Sequence, residues 1–157
     1  INRRYPYIHP GRKVNRQAQL VIAIDQSGSV SGAMLQMFFA ELEKLATFAE
    51  FTVIPFDTKV DDRKAFTWQK GQRRKWERVL CGGTNFEPVR EWVDNPRSRG
   101  KAWQGKRFDG VMILTDMEAP KPKCQRSCQR AWVTTEQHAK RPYFQPDKRD
   151  RMVAIAS

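Results

Sequence analysis

The sequence predicts an α/β fold with a mainly parallel sheet that is covered by helices on both faces. Leu20–Ile24 and Gly110–Leu114 are continuous aliphatic runs, which is the pattern of strands buried on both faces. Apolar residues recur at helical spacing between Ser31 and Thr47, which predicts an amphipathic helix after the first strand. Strand and helix patterns alternate along the chain, as parallel sheets with helical crossovers require.

The remaining elements follow in chain order. Further strands are predicted at 51–56, 130–134 and 152–156, and a second helix at 85–93 with Asn85 as its cap. A short antiparallel extension is expected at 59–60 and 65–68, around the Asp61-Asp62 turn. The polar, proline-containing segments 94–107 and 135–151 predict loops, and the second is expected to be flexible or to contact a partner.

The length of 157 residues fits one folded domain. We expect residues 1–19 to be a basic arm or linker and residues 20–157 to be the domain, within a fragment of a larger protein. No apolar run reaches the length of a membrane span, which predicts a cytoplasmic protein without a membrane partner. Cys81, Cys124 and Cys128 form no even disulfide framework, and the spacing of the last two with His138 is poor for zinc, so unpaired thiols are expected.

The formal net charge of +12 predicts attraction to polyanions. The basic residues concentrate in the arm, at 70–78 and at 121–151, and the middle stretch is flanked and interrupted by Trp68 and Trp76. Backbone contacts to nucleic acid with base stacking are one interpretation. A solvated face, or a surface complementary to an acidic partner, is the other interpretation, and it is slightly favoured because no nucleic-acid-binding motif accompanies the charge.

The segment Asp25-Gln26-Ser27-Gly28-Ser29 stands at the carboxyl end of the first predicted strand. Binding sites of open α/β sheets form at such strand ends. Ser27 and Ser29 lie two residues apart and point the same way as Asp25 in an extended loop. Hard divalent cations, Mg²⁺ above all, prefer such all-oxygen sets. The same residue types also occur as ordinary helix caps, so this motif alone is a weak signal.

Two further segments complete the pattern. The glycine turn Gly82-Gly83-Thr84-Asn85 can bring the Thr84 hydroxyl close to an ion. Asp116 follows a second aliphatic run and delivers a second carboxylate. Coincident placement of three pieces at strand ends and turns predicts a metal site formed by Asp25, Ser27, Ser29, Thr84 and Asp116.

Together these motifs resemble the metal-ion-dependent adhesion site of von Willebrand factor A (VWA) domains. The resemblance covers the chain from about Leu20 onward and implies a three-layer, Rossmann-like VWA fold with one short antiparallel edge strand. It implies that Ser27, Ser29 and Thr84 ligate Mg²⁺, or Mn²⁺ or Ca²⁺ in its place. It also implies that Asp25 and Asp116 act directly or through water. Met117 stands where the family often has glycine.

The sequence also resembles the VWA-like domain at the C-terminus of bacterial and phage metallopeptidases. The shared features are Phe56-Asp57-Thr58, Gly82-Gly83-Thr84-Asn85-Phe86-Glu87-Pro88-Val89, Leu114-Thr115-Asp116 and Trp132-Val133-Thr134-Thr135. This resemblance implies a bacterial or phage-infected cell and a MoxR-type AAA+ ATPase as partner. The present chain contains no His-Glu-x-x-His metallopeptidase motif.

The predicted function is a metal-dependent protein-binding module that captures a glutamate or aspartate of its partner. No catalytic residue is predicted, because the chain has no Walker-type phosphate loop and no evident nucleophile and base pair. The alternatives are a nucleic-acid-binding accessory protein and a Mg²⁺-dependent phosphoryl-transfer enzyme. Asp25→Ala and Thr84→Ala are expected to abolish partner binding and to leave the fold intact, on the premise that both residues lie outside the core.

Overall fold

A computed structural model describes residues 18–75 and 77–155. The predicted basic arm lies outside these residues except for Ala18 and Gln19. The described residues form a six-stranded sheet in the order β3-β2-β1-β4-β5-β6, in which only β3 is antiparallel to its neighbour. The strands are β1 (Leu20–Asp25), β2 (Phe51–Phe56), β3 (Phe66–Trp68), β4 (Gly110–Leu114), β5 (Gln129–Thr135) and β6 (Arg151–Ile155). This topology confirms the predicted mainly parallel sheet with one short antiparallel edge strand.

Helices cover both faces of the sheet. The helices are α1 (Gly32–Leu45), α2 (Glu87–Asp94) and α3 (Glu136–Lys140). Alternate residues of β1 belong to two separate hydrophobic clusters: Ile22 packs in the cluster that contains residues of α1, and Val21 packs in the one that contains residues of α2. Because both faces of β1 are buried, its sequence is continuously aliphatic and not alternating. The three-layer architecture is therefore confirmed.

Some predicted boundaries shift for local reasons. The helix α2 begins at Glu87, and the Asn85 side chain accepts a hydrogen bond from the Glu87 backbone N–H at 3.1 Å just before it. Val60 forms only an isolated bridge with Phe56, so β3 alone provides the antiparallel edge. The predicted loop at 94–107 contains two turns of 3₁₀ helix, Pro96–Ser98 and Lys101–Trp103.

Two expectations about the surface need correction. Trp68 has no exposed surface, because it packs between the rings of Phe39 and Phe51, so it is unavailable for stacking on bases. Trp76 lies outside the described residues. The segment 135–151, predicted as a loop, contains the helix α3, and its end is tied to the sheet because Asp150 accepts a hydrogen bond from the Arg130 Nε at 2.8 Å.

The carboxylate of Asp94, the last residue of α2, joins this helix to the segment before β5. It accepts hydrogen bonds from the backbone N–H groups of Arg126 and Ser127, the Ser127 hydroxyl and the Gln125 amide at 2.6 to 3.0 Å. Burial alone would raise the pKa of Asp94, but these hydrogen bonds outweigh it and hold the pKa below its ordinary value. The ionised carboxylate of Asp94 therefore stabilises the folded protein more than its protonated form does.

We expect Asp94→Asn to lower the free energy of unfolding at pH 7 by about 1–3 kcal/mol. Because the folded pKa is depressed, the wild type keeps this contribution at neutral pH and loses it as the pH falls below about 4. Urea unfolding of both proteins at pH 7 and pH 3 measures the difference, which should shrink at the lower pH. Glu50→Gln, at an exposed position, is the control. A difference that is the same at both pH values would contradict the assignment.

Candidate metal centre

The sheet topology brings the two predicted carboxylates to the same edge. The strands β1 and β4 are parallel neighbours, with Ile24 opposite Leu114. Asp25 is the last residue of β1, and Asp116 lies two residues beyond the end of β4. Burial is the main cause that raises the pKa of Asp25, and the nearby charge of Asp116 raises it further. The structure therefore brings these two predicted site residues together.

Asp25 is fully buried and already has two hydrogen-bond donors. One carboxylate oxygen accepts from the Ser27 backbone N–H at 2.9 Å, and the other accepts from the Thr115 hydroxyl at 2.5 Å. Burial raises the pKa of Asp25, while the hydrogen bonds from Thr115 and Ser27 act in the opposite direction. The premise that Asp25 lies outside the core is wrong, so Asp25→Ala would disturb the edge of the sheet as well as a metal site.

The two serine hydroxyls of the motif converge as expected. Their Oγ atoms lie 3.2 Å apart, with Ser27 buried and Ser29 exposed. The helix α1 starts directly after this loop, where the Ser31 hydroxyl caps it by accepting from the Met34 backbone N–H at 3.2 Å. The caps and the candidate ligands are therefore different residues, because Ser31 caps the helix and Ser27 and Ser29 do not.

The carboxylate of Asp116 is only half satisfied. One oxygen accepts a hydrogen bond from the Glu118 backbone N–H at 3.1 Å, while its Oδ2 is buried without a partner. The following residue, Met117, has a φ of 63°, a left-handed conformation that glycine adopts most readily. Methionine therefore adopts this turn in the absence of the family's usual glycine. Its backbone N–H donates to the Thr115 hydroxyl at 3.0 Å, which anchors the turn.

The glycine turn lies against the serine loop. The Gly28 backbone N–H donates to the Gly82 carbonyl at 2.9 Å, and Thr84 follows two residues later in a half-buried position. A Cβ atom at Gly82 would lie 2.7 Å from Oδ2 of Asp57, so any larger residue here would displace the Asp57 carboxylate. Asp57 supports the turns here, because its carbonyl accepts from the Asn85 backbone N–H at 2.9 Å and its side-chain Oδ1 accepts from the Lys59 backbone N–H at 3.2 Å.

Three residues that the sequence did not assign to this site support the edge of the sheet. Thr115 positions Asp25, and its place beside Asp116 in the motif was the available signal. Gln26 is buried and its side-chain Oε1 accepts from the backbone N–H groups of Val79 and Leu80 at 2.6 and 3.1 Å. Arg78, predicted as part of a basic surface, instead donates to backbone carbonyls of the serine loop. Nothing in the local pattern distinguishes it from its basic neighbours.

The donor set at this edge is rich in neutral hydroxyls. Across residues 18–75 and 77–155, no three His, Cys, Asp or Glu side chains are grouped so that they could hold a metal ion. An ion bound at this edge would therefore depend on serine and threonine oxygens in addition to the carboxylates. The unpartnered Asp116 oxygen and the paired serine hydroxyls suit a hard divalent cation. The residues present thus fit the predicted ion.

The comparison with protein families identifies the class. The model of a family described as "VWA-like domain (DUF2201)" matches residues 20–146. The chain therefore belongs to this family of VWA-like domains. Such domains are generally non-enzymatic interaction modules, and family membership accordingly indicates a protein-interaction module. The more specific likeness to the C-terminal domain of metallopeptidases stays a prediction.

Individual relatives are distant. An uncharacterized protein of Thermotoga maritima is 26% identical over 127 residues, which are 80% of this chain but only 29% of that protein. The ArnB paralog VWA2 of Sulfolobus acidocaldarius is 12% identical, with a TM-score of 0.50 over 75% of this chain and 34% of that one. An aerotolerance-related membrane protein of Bacteroides fragilis is 15% identical, with a TM-score of 0.47 over 74% and 67% of the two chains. Within the described part of this chain, no helix is long and apolar enough to cross a bilayer.

Proposed function

We propose that this domain is a metal-dependent protein-binding module. Ser27, Ser29 and Thr84 would hold Mg²⁺, with Asp25 and Asp116 contributing directly or through water. The observation that supports this most strongly is the buried, unpartnered oxygen of Asp116 at the same sheet edge as the paired serine hydroxyls. A buried carboxylate oxygen without a partner costs free energy, and a bound cation would remove that cost.

The proposed mode of binding is capture of an acidic side chain. Neutral hydroxyl ligands leave a bound divalent cation with net positive charge, which attracts a glutamate or aspartate of a partner protein. Asp25 already accepts a hydrogen bond on each oxygen, so we assign it to the positioning of the serine loop and to contacts through water. A MoxR-type AAA+ ATPase is the partner that the family resemblance suggests.

Isothermal titration calorimetry with Mg²⁺ tests the site. We expect the wild type to bind one ion, and Ser27→Ala/Ser29→Ala to lose at least about tenfold in affinity because two ligands are removed. The Ser27 backbone N–H that binds Asp25 is retained in this variant, so the fold should survive. Ser98→Ala is the control, because Ser98 belongs to the 3₁₀ turn Pro96–Ser98, a different loop from the one that carries Ser27 and Ser29. Equal Mg²⁺ binding by the double variant and the wild type would contradict the assignment.

The same proteins test partner capture. Thr84→Ala tests partner binding more selectively than Asp25→Ala does. Thr84 is only half-buried, whereas Asp25 belongs to the buried end of β1, where a substitution would also disturb the fold. A partner retained with Mg²⁺, released by EDTA and lost with Thr84→Ala would support capture through the ion. Phosphatase or ATPase activity that depends on Asp25 would favour the enzyme alternative and overturn the proposal.

A further inference from the structure

We propose that Arg78 is a positioning residue that fixes the two ligand-bearing loops relative to one another, an inference that rests on the proposed metal site. Its guanidinium donates from Nη1 to the carbonyl oxygens of Gln26 at 2.9 Å and Ser27 at 3.1 Å, and from Nη2 to the carbonyl of Val30. These three carbonyls bracket the segment that carries both serine hydroxyls. A planar, rigid fork of donors suits this task better than a single ammonium group.

The attachment is reciprocal. The Gln26 side chain reaches back to the segment around Arg78: its amide nitrogen donates to the Glu77 carbonyl at 3.1 Å, and its Oε1 accepts from the N–H groups of Val79 and Leu80. Each segment thus sends a side chain into the backbone of the other. Removing Arg78 would leave part of this attachment but would free the carbonyls on either side of Ser29.

The position of Arg78 in the chain gives this attachment its significance. Residues 77–80 lead directly into the turn that carries Thr84, and the Gly82 carbonyl accepts from the Gly28 N–H at 2.9 Å. Arg78 therefore connects the segment that provides the threonine ligand to the loop that provides the serine ligands. A metal ion gains most affinity when its ligands are already held in place, and residues that orient ligands typically contribute about 10–100-fold.

The experiment compares Mg²⁺ affinity in Arg78→Met, Arg78→Lys and Arg73→Met. We expect Arg78→Met to weaken Mg²⁺ binding about tenfold and Arg78→Lys to weaken it less, because an ammonium retains the charge and part of the hydrogen bonding. Arg73→Met is the matched control, since Arg73 belongs to the same basic stretch and its side chain is 92% exposed. A further variant, Arg78→Ala, should recover part of its Mg²⁺ affinity when ethylguanidinium is added. A variant that had simply lost its fold would show no such recovery.

The outcomes separate the two proposals. If the wild type binds Mg²⁺ and Arg78→Met binds it within twofold, the positioning role is overturned and the metal site stands. If the wild type binds no Mg²⁺, the metal site fails and the role of Arg78 fails with it. Thermal unfolding in EDTA monitors the fold of each variant. If Arg78→Met does not fold, the test rests on Arg78→Lys and on the ethylguanidinium rescue. A Mg²⁺ affinity that is unchanged in Arg78→Lys and, in Arg78→Ala, is not restored by ethylguanidinium would overturn the positioning role.

Discussion

Replacing Arg130 with alanine should lower the free energy of unfolding by about 3–5 kcal/mol, because it would leave two acidic side chains without their buried cation. The Arg130 side chain has no exposed surface and donates to Asp150 at 2.8 Å and to Asp147 at 3.2 Å. Its third contact is the Lys123 carbonyl at 2.9 Å. The Trp132 indole N–H also donates to Asp150, at 3.0 Å, so the cluster ties β5 to the segment that precedes β6.

Lys121→Ala is the matched control for this prediction. Lys121 also contacts Asp147, at 2.7 Å, but its side chain is 40% exposed. An ion pair that water reaches contributes at most about 1 kcal/mol, so the control should change stability little. Denaturant unfolding at pH 7 measures both variants. A similar loss of stability in the two would mean that burial of Arg130 does not set the energy of the cluster.

Arg99→Ala should cost a comparable amount, at least about 3 kcal/mol, for a different reason. The buried guanidinium of Arg99 donates to four backbone carbonyls, those of Trp92, Val93, Trp103 and Lys106, at 2.6 to 2.9 Å. Each buried carbonyl left without a donor costs about 1–3 kcal/mol. The guanidinium also lies over the Trp92 ring, 4.8 Å from its centroid, so packing is lost as well.

Thermal and urea unfolding test this prediction against two other variants. Arg97→Ala removes an exposed cation from the same loop and should be nearly neutral. Arg99→Lys keeps the charge but has fewer donors, so its loss should fall between those of the two alanine variants. Wild-type stability in Arg99→Ala would show that water replaces the guanidinium at no cost, and would refute the explanation.

The fold could be predicted from the sequence because its central strands are buried on both faces. Continuous aliphatic runs at Leu20–Ile24 and Gly110–Leu114 have few alternatives to a central parallel strand. The start of helix α2 was predicted two residues too early, because Asn85 lies before the helix and its side chain accepts from the N–H of Glu87, the first helical residue. The candidate site residues follow from the same logic, since the carboxyl ends of neighbouring parallel strands meet at one edge.

Long-range contacts account for what could not be predicted. Arg78 lies far along the chain from the loop that it contacts, and its basic neighbours made it look like a surface residue. Asp25 also differs from its predicted environment, because the register of β1 against β4 places the Thr115 hydroxyl on its carboxylate and buries it. Patterns of spacing report on neighbours in sequence, whereas Arg78 contacts a distant loop and Asp25 contacts a residue that follows the neighbouring strand.

The turn at Met117 links the candidate metal site to the hydrophobic core. A left-handed conformation costs a residue with a side chain about 1–2 kcal/mol, while burial of the methionine side chain contributes about 1.5–3 kcal/mol. Glycine at this position would remove the strain and the packing together. Met117→Gly would therefore leave a cavity in the core cluster that contains Phe86. The turn that carries the Asp116 carboxylate and the filling of this core thus depend on the same residue.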